Sequence, residues 1–284
     1  MPSLTDMAYI RGLLSRHGFS FSKKLGQNFL INPSVCPRMA EACGASMESG
    51  VLEIGPGIGV LTRELAARAG RVTAIELDNR LLPVLAETLA DYPHVTVVQG
   101  DVLKLDLHRL IAEQFGDRPV SVCANLPYYI TSPIVMALLE SRLPVESITV
   151  MVQREAARRL CARPGTRECG AVTLAVAYYA EAETLFDVSR GSFLPAPNVD
   201  SSVIRLRVRR EPPCTVVDEA LLFRLIRTAF GQRRKTLPNA LATVADKAAL
   251  TGILEELALS PTVRAEQLTL PQFAALANAL ARTQ

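Results

Sequence analysis

A glycine loop and three carboxylates are spaced in this chain to hold a nucleoside. Glu53-Ile54-Gly55-Pro56-Gly57-Ile58-Gly59 continues a short apolar run from Val51 and leads into a helical pattern over Leu61 to Ala69. Glycines between a strand and a helix let the backbone turn sharply and approach a ligand closely. Glu76 ends the next apolar run, Arg71 to Ile75, and Asp101 follows the third, Val95 to Val98. A carboxylate at the second strand end can accept hydrogen bonds from both ribose hydroxyls of a nucleoside. One at the third can accept from an adenine amino group. In open sheets of parallel strands these ends line the ligand crevice.

Loop spacing narrows the ligand. The dinucleotide fingerprint is G-x-G-x-x-G, because a pyrophosphate must sit on the helix N-terminus. Here the spacing is G-x-G-x-G, with Glu53 just before it. That resembles the S-adenosylmethionine (SAM) methyltransferases, whose ligand has no phosphate to cradle, and the Glu53 carboxylate suits an ammonium-bearing ligand. On the loop alone NAD stays open.

Asn125-Leu126-Pro127-Tyr128 follows a fourth apolar run, Val120 to Ala124. It resembles the N-P-P-Y-type motif of methyltransferases that modify exocyclic amino groups. Such a nitrogen is a poor nucleophile, because its lone pair is delocalised into the ring. The Asn125 side-chain oxygen and the Leu126 carbonyl could hold both amino hydrogens and aim the lone pair at a sulfonium methyl. Pro127 stiffens the turn and Tyr128 offers a stacking face. Catalysis would be positioning plus electrostatics, on a base that has left its stack.

Together these segments resemble a family, the ribosomal RNA adenine dimethyltransferases, which dimethylate two adjacent adenines near the 3′ end of small-subunit (16S) rRNA. Lys23-Lys24-Leu25-Gly26-Gln27-Asn28-Phe29-Leu30 is similar to the family's N-terminal cofactor motif. Asn125 to Pro133 matches its extended Asn-x-Pro-Tyr form, and Gln153-Arg154-Glu155 its next motif. Phe193-Leu194-Pro195-Ala196-Pro197-Asn198-Val199-Asp200-Ser201 resembles its F-x-P-x-P-x-V-D-S loop. Phe230 to Leu237 and Arg264-Ala265-Glu266 resemble its C-terminal signatures. The resemblance covers nearly the whole chain.

It implies a role for each matching residue. Asn28, Leu30, Glu53, Gly55, Gly57, Glu76, Asp101 and Asn125 would hold SAM, with Gly55 along the methionine part, Glu76 on the ribose and Asp101 on the adenine. Asn125 and Leu126 would also serve the target amine. Tyr128 and Phe193 would sandwich the flipped adenine. Lys23, Lys24, Arg233, Arg234 and Lys235 would contact RNA. Cys169-Gly170-Ala171 and Pro238 depart from the family pattern at positions of local packing or RNA contact.

The elements that must position these residues follow from patterning. Short buried runs alternate with helical stretches through Val152, which is the mark of a parallel sheet covered on both faces. Pro119 to Leu139 carries no charge and is long enough to span a bilayer. Its Asn125, Pro127 and Pro133 instead divide it into a strand, a loop and a helix start, with Ser132 as cap. Val203 to Val208 alternates strictly, which predicts a half-exposed antiparallel strand at the sheet edge. Its Arg205 and Arg207, with Arg209, form one basic face. Beyond Glu211-Pro212-Pro213 only helical stretches follow, with Thr269 and Gln272 as a capping-box pair. The expected architecture is α/β: a Rossmann-like, mostly parallel methyltransferase sheet with an antiparallel edge strand over residues 1–210, and a small all-α, RNA-contacting domain over 211–284.

Composition sets the outer bounds. The chain has 284 residues, is 49% apolar and 21% charged, and has no Trp. That excludes disordered, collagenous and disulfide-scaffold proteins. The net charge of +3 excludes a protein coated in positive charge and leaves basic patches as the route to RNA. The six Cys form no C-x-x-C pair and the three His are far apart, so no metal is expected. Met1 to Ala8 lacks an apolar segment, and a soluble, cytoplasmic, monomeric enzyme acting on an immature small subunit is expected. Three other readings stay in view: a large-subunit rRNA methyltransferase of the macrolide-resistance type, a nucleotide-dependent oxidoreductase, and a non-enzymatic RNA-binding assembly factor.

Overall fold

The computed structural model describes residues 3–21 and 26–282. Among them the strands are β1 (Phe29–Leu30), β2 (Gly50–Ile54), β3 (Arg71–Glu76), β4 (Val95–Gln99), β5 (Val120–Asn125), β6 (Ser147–Gln153), β7 (Ala180–Val188), β8 (Phe193–Leu194) and β9 (Ser201–Val208). The helices are α1 (Met7–Arg16), α2 (Val35–Ala42), α3 (Val60–Ala66), α4 (Leu82–Thr88), α5 (Leu107–Phe115), α6 (Thr131–Glu140), α7 (Arg154–Leu160), α8 (Ala171–Tyr179), α9 (Glu219–Gly231), α10 (Leu237–Ala240), α11 (Lys247–Glu256) and α12 (Leu270–Ala281). The chain divides into two compact units, Met1–Ala157 with Glu183–Val208, and Arg158–Ala182 with Arg209–Gln284.

The first unit is built on a seven-stranded sheet of order β4-β3-β2-β5-β6-β9-β7. The β4-β3-β2-β5-β6 run is parallel and β9 joins β6 antiparallel. The chain runs outward from β2 through β3 to β4 and then returns to β5 on the other side of β2. The crevice at the C-terminal ends of β2 and β5 is therefore the topological switch point, where the glycine loop and Asn125 both lie. Central strands are buried on both faces, with Val51, Leu52, Val122, Cys123 and Ala124 all at 0% exposure. This explains why they read as unbroken apolar runs.

Helices α2 and α3 share one core with the sheet, through Met39, Ala40, Leu61, Leu65, Val51, Val72, Cys123 and Met151. Helix α1, ahead of the segments read as structured in the sequence, packs Ile10, Leu13 and Leu14 on Leu81, Val84 and Leu85 of the α4 region. Its N-cap Asp6 accepts from Tyr9 N at 2.7 Å, and Arg16 and His17 reach Glu87 at 2.6 and 2.7 Å.

The expected edge strand is antiparallel but not at the edge. Strand β7 lies outside β9. Glu183 of β7 pairs with Arg205 at 2.7 Å and Arg207 at 3.0 Å, and Glu181 pairs with Arg209 at 3.0 Å. The basic face of β9 is thus matched by acids of its neighbouring strand. The uncharged stretch resolves as expected into β5, a tight turn at Tyr128–Ile130 and α6. Helix α6 begins at Thr131 rather than Pro133, and Ser132 does not cap it.

The second unit contains α8 to α12. It takes residues 158–182 from inside the span 1–210 assigned to the sheet domain on sequence. The reason is α8, which is apolar around most of its circumference and needs helices to cover it. Tyr179 stacks on Phe223 of α9 at 5.5 Å, and the Tyr178 and Tyr179 hydroxyls donate to Glu219 at 3.1 and 2.7 Å. The Thr269–Gln272 capping box forms at the start of α12. Among the described residues no helix is long and apolar enough to cross a membrane, and no side-chain group could hold a metal ion.

Candidate active site

Strand β2 delivers the glycine loop. Gly57 has φ +61°, and a Cβ there would stand 3.3 Å from the Phe29 ring. Gly59, at φ +91°, turns the chain into α3. Left-handed backbone and a close aromatic neighbour together require glycine at Gly57.

Glu76 sits at the end of β3, 6% exposed. Its Oε1 accepts from Asp78 N at 2.8 Å and its Oε2 from Gly57 N at 3.3 Å. Burial pushes the carboxyl up to about 7. Asp101 caps the turn after β4 by accepting from Leu103 N at 3.1 Å, with Lys104 Nζ at 3.7 Å. Glu53, inside β2, is 1% exposed, and its Oε2 has no hydrogen-bond partner. Burial pushes this carboxyl up to about 8, and the nearby Glu76 charge acts in the same direction.

The N-terminal motif closes the cavity from the other side. Asn28 Nδ2 donates to Gly26 O at 3.1 Å, and the Asn28 carbonyl accepts from Asn125 Nδ2 at 3.3 Å. Gln27 Nε2 donates to Asp78 at 2.8 Å. Asp78 is held by Arg80 at 2.6 Å, which keeps its carboxyl below the usual carboxylate range. Sequence reading missed this Gln27–Asp78–Glu76 linkage; Asp78, a second acid two positions after Glu76, was the available signal.

Asn125 ends β5. Its amide nitrogen is committed to Asn28, and the Leu126 amide to Met151 O at 3.1 Å. Among the described residues, Asn125 Oδ1 and the Leu126 carbonyl accept no hydrogen bond. Two acceptors thus remain for an incoming amine. The Tyr128 hydroxyl is bonded to Ser201 Oγ at 2.5 Å, and burial pushes its pKa up, so the phenol stays neutral. Ser201 is placed by the loop before β9, where Asp200 bridges Arg154 at 3.3 Å and Arg190 N at 3.1 Å.

One cavity brings Asn28, Leu30, Glu53, Gly55, Gly57, Glu76, Asp101, Asn125, Leu126 and Tyr128 together. Its described lining carries three carboxyl groups and no Lys, Arg or His. Such a wall suits a positively charged ligand with hydroxyls, which draws the buried carboxyls into their charged form, and offers a pyrophosphate no cation. The unpartnered Glu53 oxygen is a buried acceptor awaiting a donor. These residues fit SAM. They disfavour NAD.

Phe193 does not join them. It is 3% exposed, pairs with Leu30 across the β1–β8 ladder and belongs to the core with Val188 and Val203. It is not among the cavity-lining residues. The ladder that brings Leu30 to the cavity also buries the Phe193 ring, so the expected aromatic sandwich is not formed. Lys23 and Lys24 lie outside the described residues. Arg233, Arg234 and Lys235 are exposed beyond α9 in the second unit. Arg233 also donates to Arg167 O at 2.9 Å. Of the departures, Cys169 is fully buried and Pro238 occupies the first turn of α10.

The model of the ribosomal RNA adenine dimethylase family matches residues 18–282. The chain is 49% identical over 276 residues to "Ribosomal RNA small subunit methyltransferase A" of Geobacillus sp. (strain WCH70), covering 95% of each. It is 49% identical to the same-named protein of Bacillus mycoides (strain KBAB4), covering 95% of this chain and 94% of that one. Among solved structures it is similar to a dimethyladenosine transferase from Plasmodium falciparum, with TM-score 0.74, 25% identity and coverage of 87% and 95%. It is also similar to the 23S rRNA methyltransferase ErmE, with TM-score 0.68, 30% identity and coverage of 89% and 100%. A switch-point cavity walled by carboxylates, an asparagine amide fixed at the end of β5 and a family match spanning both units agree: this chain belongs to the ribosomal RNA adenine dimethylase family.

Proposed function

We propose that this protein is a SAM-dependent N6,N6-dimethyltransferase of two adjacent adenosines near the 3′ end of small-subunit (16S) rRNA. Its substrate is the RNA within an immature small subunit, and it acts as a cytoplasmic monomer. The observation that carries the reading is the Asn28–Asn125 hydrogen bond at a cavity whose described lining has three carboxyl groups and no cation.

SAM supplies an electrophilic methyl group on a sulfonium. The protein supplies position and charge. Glu76 accepts the ribose hydroxyls, Asp101 the adenine amine, and Glu53 faces the positive charge. Asn28, Leu30, Gly55 and Gly57 line the methionine and nucleoside path. Asn125 Oδ1 and the Leu126 carbonyl each accept one hydrogen of the target amine, which directs its lone pair at the methyl. Orientation of this kind supplies much of the barrier reduction when no strong base is needed. Tyr128 stacks on the extruded base. Phe193 supports the pocket from within the core. The exposed Arg233-Arg234-Lys235 segment makes phosphate contacts, joined by Lys23 and Lys24 at the N-terminal motif.

The similarity to ErmE favours a second reading, methylation of large-subunit rRNA. The 49% identical relatives named for the small subunit favour the first. Purified protein is incubated with labelled SAM and either immature small subunits or free large-subunit rRNA, and nucleosides are resolved by mass spectrometry. Dimethyladenosine in small-subunit RNA is expected. Its confinement to large-subunit RNA overturns the proposal.

A further inference from the structure

Among the described aromatic side chains, only Phe21 and Tyr129 are exposed, Phe21 at 37% and Tyr129 at 59%. Phe21 is engaged, with its ring 5.1 Å from Phe29 and 6.1 Å from Phe19. Tyr129 has no such company. It makes no ring contact and no side-chain hydrogen bond among the described residues.

Its position is what gives this exposure meaning. Tyr129 follows Tyr128 in the one-turn helix Tyr128–Ile130, and both line the cavity that holds Asn125. Successive residues of a 3₁₀ turn point about 120° apart, so the two rings serve different places. Tyr128 is drawn inward by its Ser201 bond; Tyr129 faces solvent at the cavity mouth. The ring lies beside Gly26: a Cβ there would stand 3.2 Å from its Cδ1. Gly26 has φ +60°, so glycine is needed there both for the backbone and for the ring beside it. An exposed aromatic face beside a pocket for an extruded base is the feature by which single-stranded nucleic acid is gripped without sequence readout.

We infer that Tyr129 is the stacking platform for the nucleobase adjacent to the target adenosine on the same RNA strand. This rests on the proposed function above. It gives the site two aromatic positions after all, one for the base in the pocket and one for its neighbour. For a substrate of two adjacent adenosines, the adenosine awaiting its turn is the base that Tyr129 holds.

The test compares wild type, Tyr129→Phe and Tyr129→Ser. SAM affinity is measured by calorimetry. The Michaelis constant for immature small subunits is measured with labelled SAM. Binding is followed with a short single-stranded RNA carrying 2-aminopurine next to the target adenosine, whose fluorescence is quenched on stacking. Tyr129→Ser is expected to keep wild-type SAM affinity and melting temperature, to lose the quench, and to weaken RNA binding about 5- to 100-fold. Tyr129→Phe is expected to behave as wild type, since the face and not the hydroxyl is used. An unchanged quench and Michaelis constant in Tyr129→Ser overturns the inference. So does an equal loss in Tyr129→Phe, or a loss of SAM affinity, which would make Tyr129 part of the cofactor wall. A wild-type protein that methylates neither RNA defeats the functional reading instead, and the quench still decides the inference.

Discussion

Asn125 and Asn28 stand 97 residues apart in sequence and are joined by one hydrogen bond, from Asn125 Nδ2 to the Asn28 carbonyl at 3.3 Å. The bond sets which way the Asn125 amide faces, because nitrogen and oxygen are otherwise interchangeable by rotation. With the nitrogen committed, the oxygen is the group left for a substrate amine. It also means that the N-terminal motif orients the Asn125 amide through its backbone.

Asn125→Ala removes this acceptor and little else. Methyl transfer is expected to fall about 10²–10³-fold or more, the scale seen when one preorganised polar group is lost from a reaction centre. Stability should change by only about 1 kcal/mol, the worth of one partly buried hydrogen bond. Single-turnover transfer and a melting curve measure the two effects. Wild-type turnover in the variant removes Asn125 from the mechanism.

The sites at strand ends were legible because each lies where an apolar run stops, as Glu76 and Asn125 do. Strand β7 was not legible, because Glu181, Glu183 and Asp187 interrupt its pattern. Arg205 and Arg207, which pair with Glu183, and Arg209, which pairs with Glu181, lie on a later strand, so the charge matching exists only after folding. Helix α8 was missed for the opposite reason: it is buried on most sides and shows no amphipathic period. Phe193 looked like a stacking residue by type and motif. Its pairing with Leu30, 163 positions earlier in the chain, was not visible locally, and that pairing decides its burial.

Glu76 is expected to act twice. It would accept from the ribose, and it already accepts from Gly57 N and Asp78 N. Glu76→Ala should weaken SAM binding by about 10- to 100-fold, from loss of charge-assisted hydrogen bonds. Glu76→Gln keeps the acceptor oxygen and should lose less. Calorimetry on the two variants separates these outcomes, and equal, wild-type affinity in both counts against the ribose assignment.

Arg233, Arg234 and Lys235 are exposed, so they can meet phosphates without unfolding anything. Replacing all three by Ala should weaken binding to small subunits and lower the slope of log K against log salt by roughly 2. SAM affinity should not move. A salt slope equal to wild type would mean the three charges are merely solvated.

Glu53 makes the protein's stability fall as pH rises in the absence of SAM. Its carboxyl titrates near its ordinary 4.5 in the unfolded chain and near 8 when folded, because burial, with Glu76 and Cys43 close by, disfavours the charge. Below the lower value both states are protonated and nothing is gained or lost. Between the two, the unfolded state sheds the proton that the folded state keeps, so the unfolded state binds fewer protons and stability declines with pH. Above about 8 the penalty is complete. Glu76, raised by burial to about 7, adds a decline of the same sign over a shorter window. Glu53→Gln removes the larger effect. Its melting temperature should match wild type near pH 5, exceed it increasingly up to about pH 8 and by a constant margin beyond, while its affinity for SAM falls because the counter-charge is gone. Saturating SAM should flatten the wild-type curve, since a positive ligand favours the ionised carboxyl. Parallel melting curves for wild type and Glu53→Gln across this range would show that the buried carboxyl is not titrating with folding.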